Sequence, residues 1–391
     1  LDQFIYDETK FSMHLTESAS RIDTFEIKIG IEGDLDGVNV NTLWECIATK
    51  KPYIELARRR QDVKKRGKGQ DQKPNHKILV LDLERLSPLI QLFDEIGIEE
   101  LKKHTAEKPI WNLANIKEEY LKTLPIEFSI SDKLKEIQNQ ILGVTEVAVR
   151  PVPKEIKAEL RTYQTEGANW LERLRNMHLN GILADDMGLG KTLQAIIVLT
   201  QQKIDNPQSQ SLIVCPTSLV YNWKEEIQKF NPLLKVLIVD GIPQYRKKLI
   251  ESMDQFDILV TSYSLLQKDI DHYLPRHFAY IILDEAQHIK NRGTRNAKSV
   301  KMIQSNHKLI LTGTPIENSL DELWSLFDFL MPGLLSTYDR FLEKYIRTPS
   351  QEKEVNLGRL KQKVSPFILR RMKKDVLSEL PDVSEIIYYC H

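Results

Sequence analysis

The stretch GILADDMGLGKTLQAII, Gly181 to Ile197, decides how the rest of the chain is read. A short apolar run, Gly181 to Ala184, breaks into Asp185 and Asp186, passes two glycines and Lys191-Thr192, and continues as a helix-like segment. Glycines let a backbone wrap closely round an anion, so that several N–H groups point at one phosphate. The helix that follows adds partial positive charge at its start. In such a loop Asp186, Met187, Gly188, Leu189 and Gly190 line the nucleotide phosphates, Lys191 reaches the outer ones, and the Thr192 hydroxyl ligates magnesium. The simplest phosphate-loop pattern has glycine where this chain has Asp185, so that position needs its own explanation.

Around this stretch, short β-branched runs alternate with amphipathic helical ones from about Ala158 onward: GILAD, SLIVCP, KVLIVDG, FDILVTSY, YIILDEA, HKLILTGTP. Strands apolar on both faces and separated by helices predict a parallel sheet covered on both sides. The expected fold is therefore α/β, a doubly wound parallel sheet whose ligands bind beyond the carboxyl ends of the strands. The chemically suggestive clusters all sit at such ends. A magnesium nucleotide needs an acidic strand end, and YIILDEAQHIKN offers Asp284 to hold the cation and Glu285 to orient and deprotonate the attacking water.

The first 150 residues have a different texture and predict an α+β accessory domain, with the ATPase lobe over 151–391. Phe25 to Gly33, Lys51 to Leu56 and HKILVLDL read as strands, and Leu89 to His104 as a helix or helical hairpin. ARRRQDVKKRGKGQDQKPNH reads as a solvated loop, with a phosphate-backbone contact as the sharper alternative. Two prolines in VAVRPVPKEIKAELR mark a boundary near residue 150.

The 391 residues carry 55 basic and 55 acidic side chains, so no global field selects a partner and a nucleic-acid site has to be local. Three widely spaced cysteines suit a reducing compartment. With no apolar run of the roughly 20 residues a membrane helix needs and no signal peptide, the expected location is cytoplasmic, nucleoid-associated in a bacterium and nuclear in a eukaryote. The opening on Leu1 and the strand-like close SEIIYYCH give the expectation of a fragment.

DDMGLGKT, LDEAQ, LTGTPIEN and LRTYQ, with LIVCPTSLVYNWKEEIQKF, VTSYSLL and SPFILRRMKKDVLSELP, resemble the motifs of Swi/Snf-type ATPases of helicase superfamily two over about Leu160 to Pro381. The resemblance implies that Gln164 reads the adenine edge, with Arg161 close by. It implies that Thr312, Gly313 and Thr314 couple nucleotide state to nucleic-acid grip. It further implies that Pro216, Thr217, Ser218, Thr261, Ser262 and Tyr263 contact the phosphates of duplex DNA without reading bases. Its cofactors are ATP and Mg2+. The first lobe it implies is a RecA-like doubly wound sheet, and its expected partners are double-stranded DNA, a second RecA-like lobe of the same parent chain supplying arginines, and a protein bound by the amino-terminal domain. Without that second lobe the piece is expected to hydrolyse little ATP. Glu317 to Leu335 is expected to pack in the core before a helical protrusion. The PFILRR segment is expected to brace the lobes, or to form a basic solvated face. A bacterial member is the expected source. An RNA-directed helicase and a non-hydrolysing docking module remain as alternatives, which Lys191, Asp284 and Glu285 together argue against in the second case.

Overall fold

The computed structural model describes residues 3–56, 77–143, 148–313 and 319–376. The stretch 57–76, expected as a solvated loop, the close of the chain after Val376, and Thr314 with the four residues after it lie outside the described residues. The chain divides into two compact units, Leu1–Gln138 and Asn139–His391. The proline-bearing stretch near residue 150 therefore falls inside the second unit.

The first unit is α+β. A four-stranded sheet runs His104–Pro109, Thr24–Glu32, Lys10–Glu17, Ile126–Ile130. Its central strands alternate, with Phe11, Met13, Leu15, Phe25, Ile27, Ile29 and Ile31 buried. That period of two is what one covered sheet face requires. A second sheet of three strands joins Gln3–Tyr6, Lys77–Val80 and Tyr53–Leu56. The segment expected as a helix from Leu89 is helical earlier, over Leu83–Glu95, with Asp82 capping its start through a bond from the Arg85 N–H. Gly97, at φ +73°, turns the chain after it, and His104 already belongs to a strand.

The second unit is built on a seven-stranded, wholly parallel sheet. In chain order its strands are β1 (Gly181–Leu183), β2 (Ser211–Cys215), β3 (Val236–Ile238), β4 (Ile258–Ser262), β5 (His277–Leu283), β6 (Gln304–Leu311) and β7 (Ile368–Leu369). Their spatial order is β3-β4-β2-β5-β6-β1-β7. All of β1, β2 and β4 is buried, as a sheet covered on both faces demands. The helices that matter to the site are α1 (Thr162–Asn176), α2 (Lys191–Asp205), α3 (Val220–Phe230) and α4 (Tyr263–Tyr273). Helix Leu320–Leu330 buries Leu323, Leu326, Phe327, Phe329 and Leu330, the core packing its spacing predicts.

The order places β6 between the phosphate-loop strand β1 and the acidic strand β5. Neighbouring strands stand ~4.8 Å apart, so the two strand ends are separated by about 10 Å. That gap suits a phosphate chain with a bridging cation. In the PFILRR segment Ile368 and Leu369 pair with Ile182 and Leu183 and form the sheet edge beside β1, while Lys373 and Lys374 beyond them are exposed.

Candidate active site

β1 feeds the loop that ends at Gly190, where α2 begins. Gly188 and Gly190 both have φ +85°, a region that costs an L side chain strain. A Cβ at Gly190 would also stand 2.5 Å from Gln164 Nε2. Both glycines are therefore required by backbone geometry.

Lys191 Nζ donates to the Asp185 carbonyl at 2.7 Å. Burial pushes its ammonium below the ordinary lysine range, while Asp185, Asp284, Glu285 and Asp186 pull the other way. The lysine thus feels the acids of β5 as well as those of its own loop. Thr192 follows on the first turn of α2.

Asp284 sits just beyond β5. Its Oδ2 accepts from the Trp223 indole N–H at 2.8 Å and its Oδ1 from the Glu285 N–H at 2.9 Å. Burial pushes its carboxyl up to about 6; the Trp223 bond opposes the rise and the Glu285 charge adds to it. Glu285 is left-handed, at φ 50° and ψ 56°, and accepts from Gln287 Nε2 at 2.8 Å.

Asp185 is fully buried. Its carboxylate takes the Arg371 guanidinium in a fork, Nε at 3.0 Å and Nη2 at 2.5 Å, and the Arg371 backbone N–H at 2.9 Å. Asp186, expected at the cofactor, accepts from the Lys373 backbone N–H at 2.9 Å and donates its own N–H to the Arg371 carbonyl at 3.0 Å. Two adjacent acids before the glycines therefore fasten the loop to the segment after β7. Arg371 also donates to Gln194 Oε1 at 2.6 Å and to the Tyr163 carbonyl, and Gln194 returns a bond to the Gly190 carbonyl at 3.1 Å.

The Gln164 amide accepts from the Arg161 N–H at 3.0 Å and donates to the Leu189 carbonyl at 3.3 Å. It ties the start of α1 to the loop, leaving one N–H and one lone pair for a base. Leu189 is buried and Met187 is 72% exposed. Thr312 is buried, its N–H bonded to the Leu183 carbonyl at 3.2 Å. A Cβ at Gly313 would stand 3.8 Å from Lys191 Nζ, so this strand end abuts the lysine.

The residues expected at DNA separate into two groups. Thr217 and Ser218 are exposed and Pro216 half-buried, at the start of the turn that leads into α3. Thr261, Ser262 and Tyr263 are 0%, 1% and 3% exposed. Thr261 Oγ1 donates to the Val239 carbonyl at 3.2 Å, the Ser262 hydroxyl accepts from the Leu265 N–H at 3.2 Å, and Tyr263 Oη donates to the Asp284 carbonyl at 2.6 Å. These three side chains are interior because their strand is covered on both faces and their helix is capped from within. Cys215 is buried, with its thiol pushed up by burial, and is no nucleophile. His288 stacks on Tyr263 with ring centroids 4.9 Å apart.

Sequence reasoning missed the Asp185–Arg371 clamp, Gln194 and the Trp223 donor. The departure from glycine at Asp185 was the one signal available. Nothing local in PFILRR or VYNW states a partner that is distant in sequence.

A parallel sheet with a glycine loop on one strand, a lysine at the helix start and an acid pair two strands away defines a RecA-like phosphate-loop lobe. The chain belongs to the SNF2-related domain family, which matches residues 163–391. It is 41% identical over 294 residues to the TATA-binding protein-associated factor MOT1 of Saccharomyces cerevisiae, covering 69% of this chain and 16% of that protein. It is likewise 41% identical over 258 residues to the chromatin-remodeling ATPase INO80 of Candida albicans, with 61% and 19% covered. Among solved structures it resembles the Sulfolobus solfataricus SWI2/SNF2 ATPase core in complex with dsDNA, with 40% identity and a TM-score of 0.56, covering 60% of this chain and 49% of that one. The chain thus spans less than a fifth of those sequence relatives and about half of the solved core.

Proposed function

We propose that this chain carries the first RecA-like lobe of an ATP-driven motor that tracks along double-stranded DNA and displaces protein bound to it. The observation that carries the proposal is the convergence of Lys191 with Asp284 and Glu285 across one intervening strand.

The residues present fit MgATP. Two left-handed glycines leave room and N–H groups for phosphate oxygens, and Thr192 and Asp284 offer the hard oxygen donors magnesium prefers. When bound, magnesium would neutralise charge on the phosphates. In the proposed mechanism Lys191 holds the outer phosphates by charge. Asp284, fixed by Trp223 and by the Glu285 N–H, would hold the cation. Glu285 orients a water and takes its proton. Gln164 and Arg161 meet the adenine. Thr312, Gly313 and Thr314 pass nucleotide state to the DNA grip. Pro216, Thr217 and Ser218 meet the DNA backbone, so binding is sequence-independent and salt-sensitive.

The partial span of the solved core supports a second RecA-like lobe as partner. The double-stranded DNA in that structure favours DNA over RNA as the stimulating polymer. The names of the eukaryotic relatives support a nuclear location if the source is a eukaryote. None of the relatives compared above is bacterial, so a bacterial source gains no support from them. Among the described residues, no helix is long and apolar enough to cross a membrane. The amino-terminal unit is proposed as the accessory domain that meets a protein partner.

Lys191→Ala in the natural full-length chain is expected to abolish ATP turnover stimulated by duplex DNA. Normal turnover in that variant, or stimulation by RNA alone, would refute the reading.

A further inference from the structure

Two of the segments expected to grip DNA, one exposed and one interior, lead to the same acid. The exposed turn at Thr217 and Ser218 runs without a break into α3, and one turn on, Trp223 is 1% exposed with its indole N–H on the Asp284 carboxylate at 2.8 Å. Ser262 caps α4, whose first residue, Tyr263, puts its hydroxyl on the Asp284 backbone carbonyl at 2.6 Å. The Asp284 N–H is meanwhile bonded to the Val214 carbonyl at 2.8 Å, on β2, the strand that ends at this same turn. Asp284 is thus held through its carboxylate, its carbonyl and its N–H by the elements that flank β5.

We propose that Trp223 and Tyr263 are positioning residues that set the Asp284 carboxylate according to whether the α3 end of the lobe is engaged with duplex DNA. The inference rests on the function proposed above and names a route by which DNA stimulates hydrolysis. A rigid helix that takes up backbone contacts at Thr217 and Ser218 moves Trp223 with it, because one turn of α-helix is too short to absorb a displacement. The indole then carries the carboxylate, since a hydrogen bond to a charged group is strong and directional. Tyr263 fixes the other side of the acid, and its ring is itself held by the stacked His288. The pair therefore converts a shift of α3 into rotation of the Asp284 side chain rather than movement of the whole strand end.

The test uses the natural full-length chain with Trp223→Phe, Tyr263→Phe and the parent. Each variant is expected to lose roughly tenfold in kcat at saturating duplex DNA, the loss produced when one hydrogen bond holding Asp284, to its carboxylate from Trp223 or to its carbonyl from Tyr263, no longer favours the transition state. Its KM for ATP and its affinity for the duplex are expected to stay within about twofold. Residues that only stabilised the fold would not produce this split. A second readout is the indole N–H resonance of Trp223, one of five tryptophans, assigned by its loss in Trp223→Phe. It is expected to shift when duplex is added. Tyr263→Phe removes a single oxygen and decides the matter should Trp223→Phe fold poorly. Stimulated kcat within twofold of the parent in Tyr263→Phe, or an indole resonance unmoved by DNA, overturns the inference. Either result leaves the motor reading standing, which falls with normal turnover in Lys191→Ala or with stimulation by RNA alone.

Discussion

Removing the Arg371 side chain tests the most unexpected bond in the site. Asp185 is 0% exposed and Arg371 only 13%, and the fork between them is completed by Arg371 bonds to Gln194 and to the Tyr163 carbonyl. In Arg371→Ala the carboxylate keeps the backbone N–H at position 371 but loses both guanidinium bonds and the compensating charge. Breaking a buried pair from one side costs about 3–5 kcal/mol, because the remaining charge has neither water nor partner. For a unit of this size each kcal/mol is worth about 2–4 °C, so melting should fall by roughly 6–20 °C. Arg371→Lys should cost nearly as much, since an ammonium cannot make the fork. Asp185→Asn combined with Arg371→Met should recover a large part, because the stranded charge is gone. The assay is urea denaturation of the full chain, with the coupling energy taken from the double-mutant cycle. A loss below about 1 kcal/mol in Arg371→Ala, or additivity in the cycle, would refute the claim that this pair fastens the phosphate loop.

Gly190→Ala should weaken nucleotide binding strongly, measured by fluorescent-nucleotide titration, because the new Cβ meets Gln164 Nε2 and the backbone is left-handed. An affinity unchanged from the parent would contradict the reading of the loop. Lys308, whose Nζ donates to the Phe329 carbonyl, has its ammonium pushed down to about 8 by burial. Between about pH 8 and the unfolded lysine value the unfolded chain holds a proton that the folded one has shed, so stability should rise with pH there. Lys308→Met should flatten that rise in denaturation curves taken across the window, and an unchanged slope would exclude Lys308 as its source. Thr217→Ala with Ser218→Ala should weaken duplex binding equally on unrelated sequences, read by fluorescence anisotropy; a sequence-dependent loss would argue for base contacts.

The legible part of this fold is the part written locally. Apolar runs such as SLIVC and YIIL are buried strands because no other element of that length hides both faces. The loop at Gly188 and the acids at Asp284 declare themselves by type and position. Their meeting was foreseeable only through strand order, which a sequence states weakly. The burial of the Thr261, Ser262 and Tyr263 side chains has a physical reason. A strand end supplies backbone groups to a ligand while its side chains still obey the burial of the strand and the cap of the next helix. The partner of Asp185 is not legible locally, because it lies 186 residues away. The helix at Leu83–Glu95 was placed late because Pro88 lies inside it, and proline ordinarily argues against a helix interior.

The centre of the lobe is arranged against its own stability. Glu285 is held left-handed, a conformation worth roughly 1–2 kcal/mol of strain in a residue other than glycine. Asp284 beside it is kept where ionisation is unfavourable, its carboxyl raised to about 6. Lys191 is pushed the opposite way by the same burial. A cation and a phosphate chain would relieve the last two together, since each supplies the charge that one of the groups lacks. The surrounding bonds go to holding the groups still: Trp223 and Tyr263 on Asp284, Gln287 on Glu285, and the Arg371 fork under the loop. A site made this way binds its ligand by removing electrostatic strain already present in the folded chain. Substitutions that relax the strain should then stabilise the lobe as they weaken its chemistry, whereas substitutions in the supporting bonds should damage both.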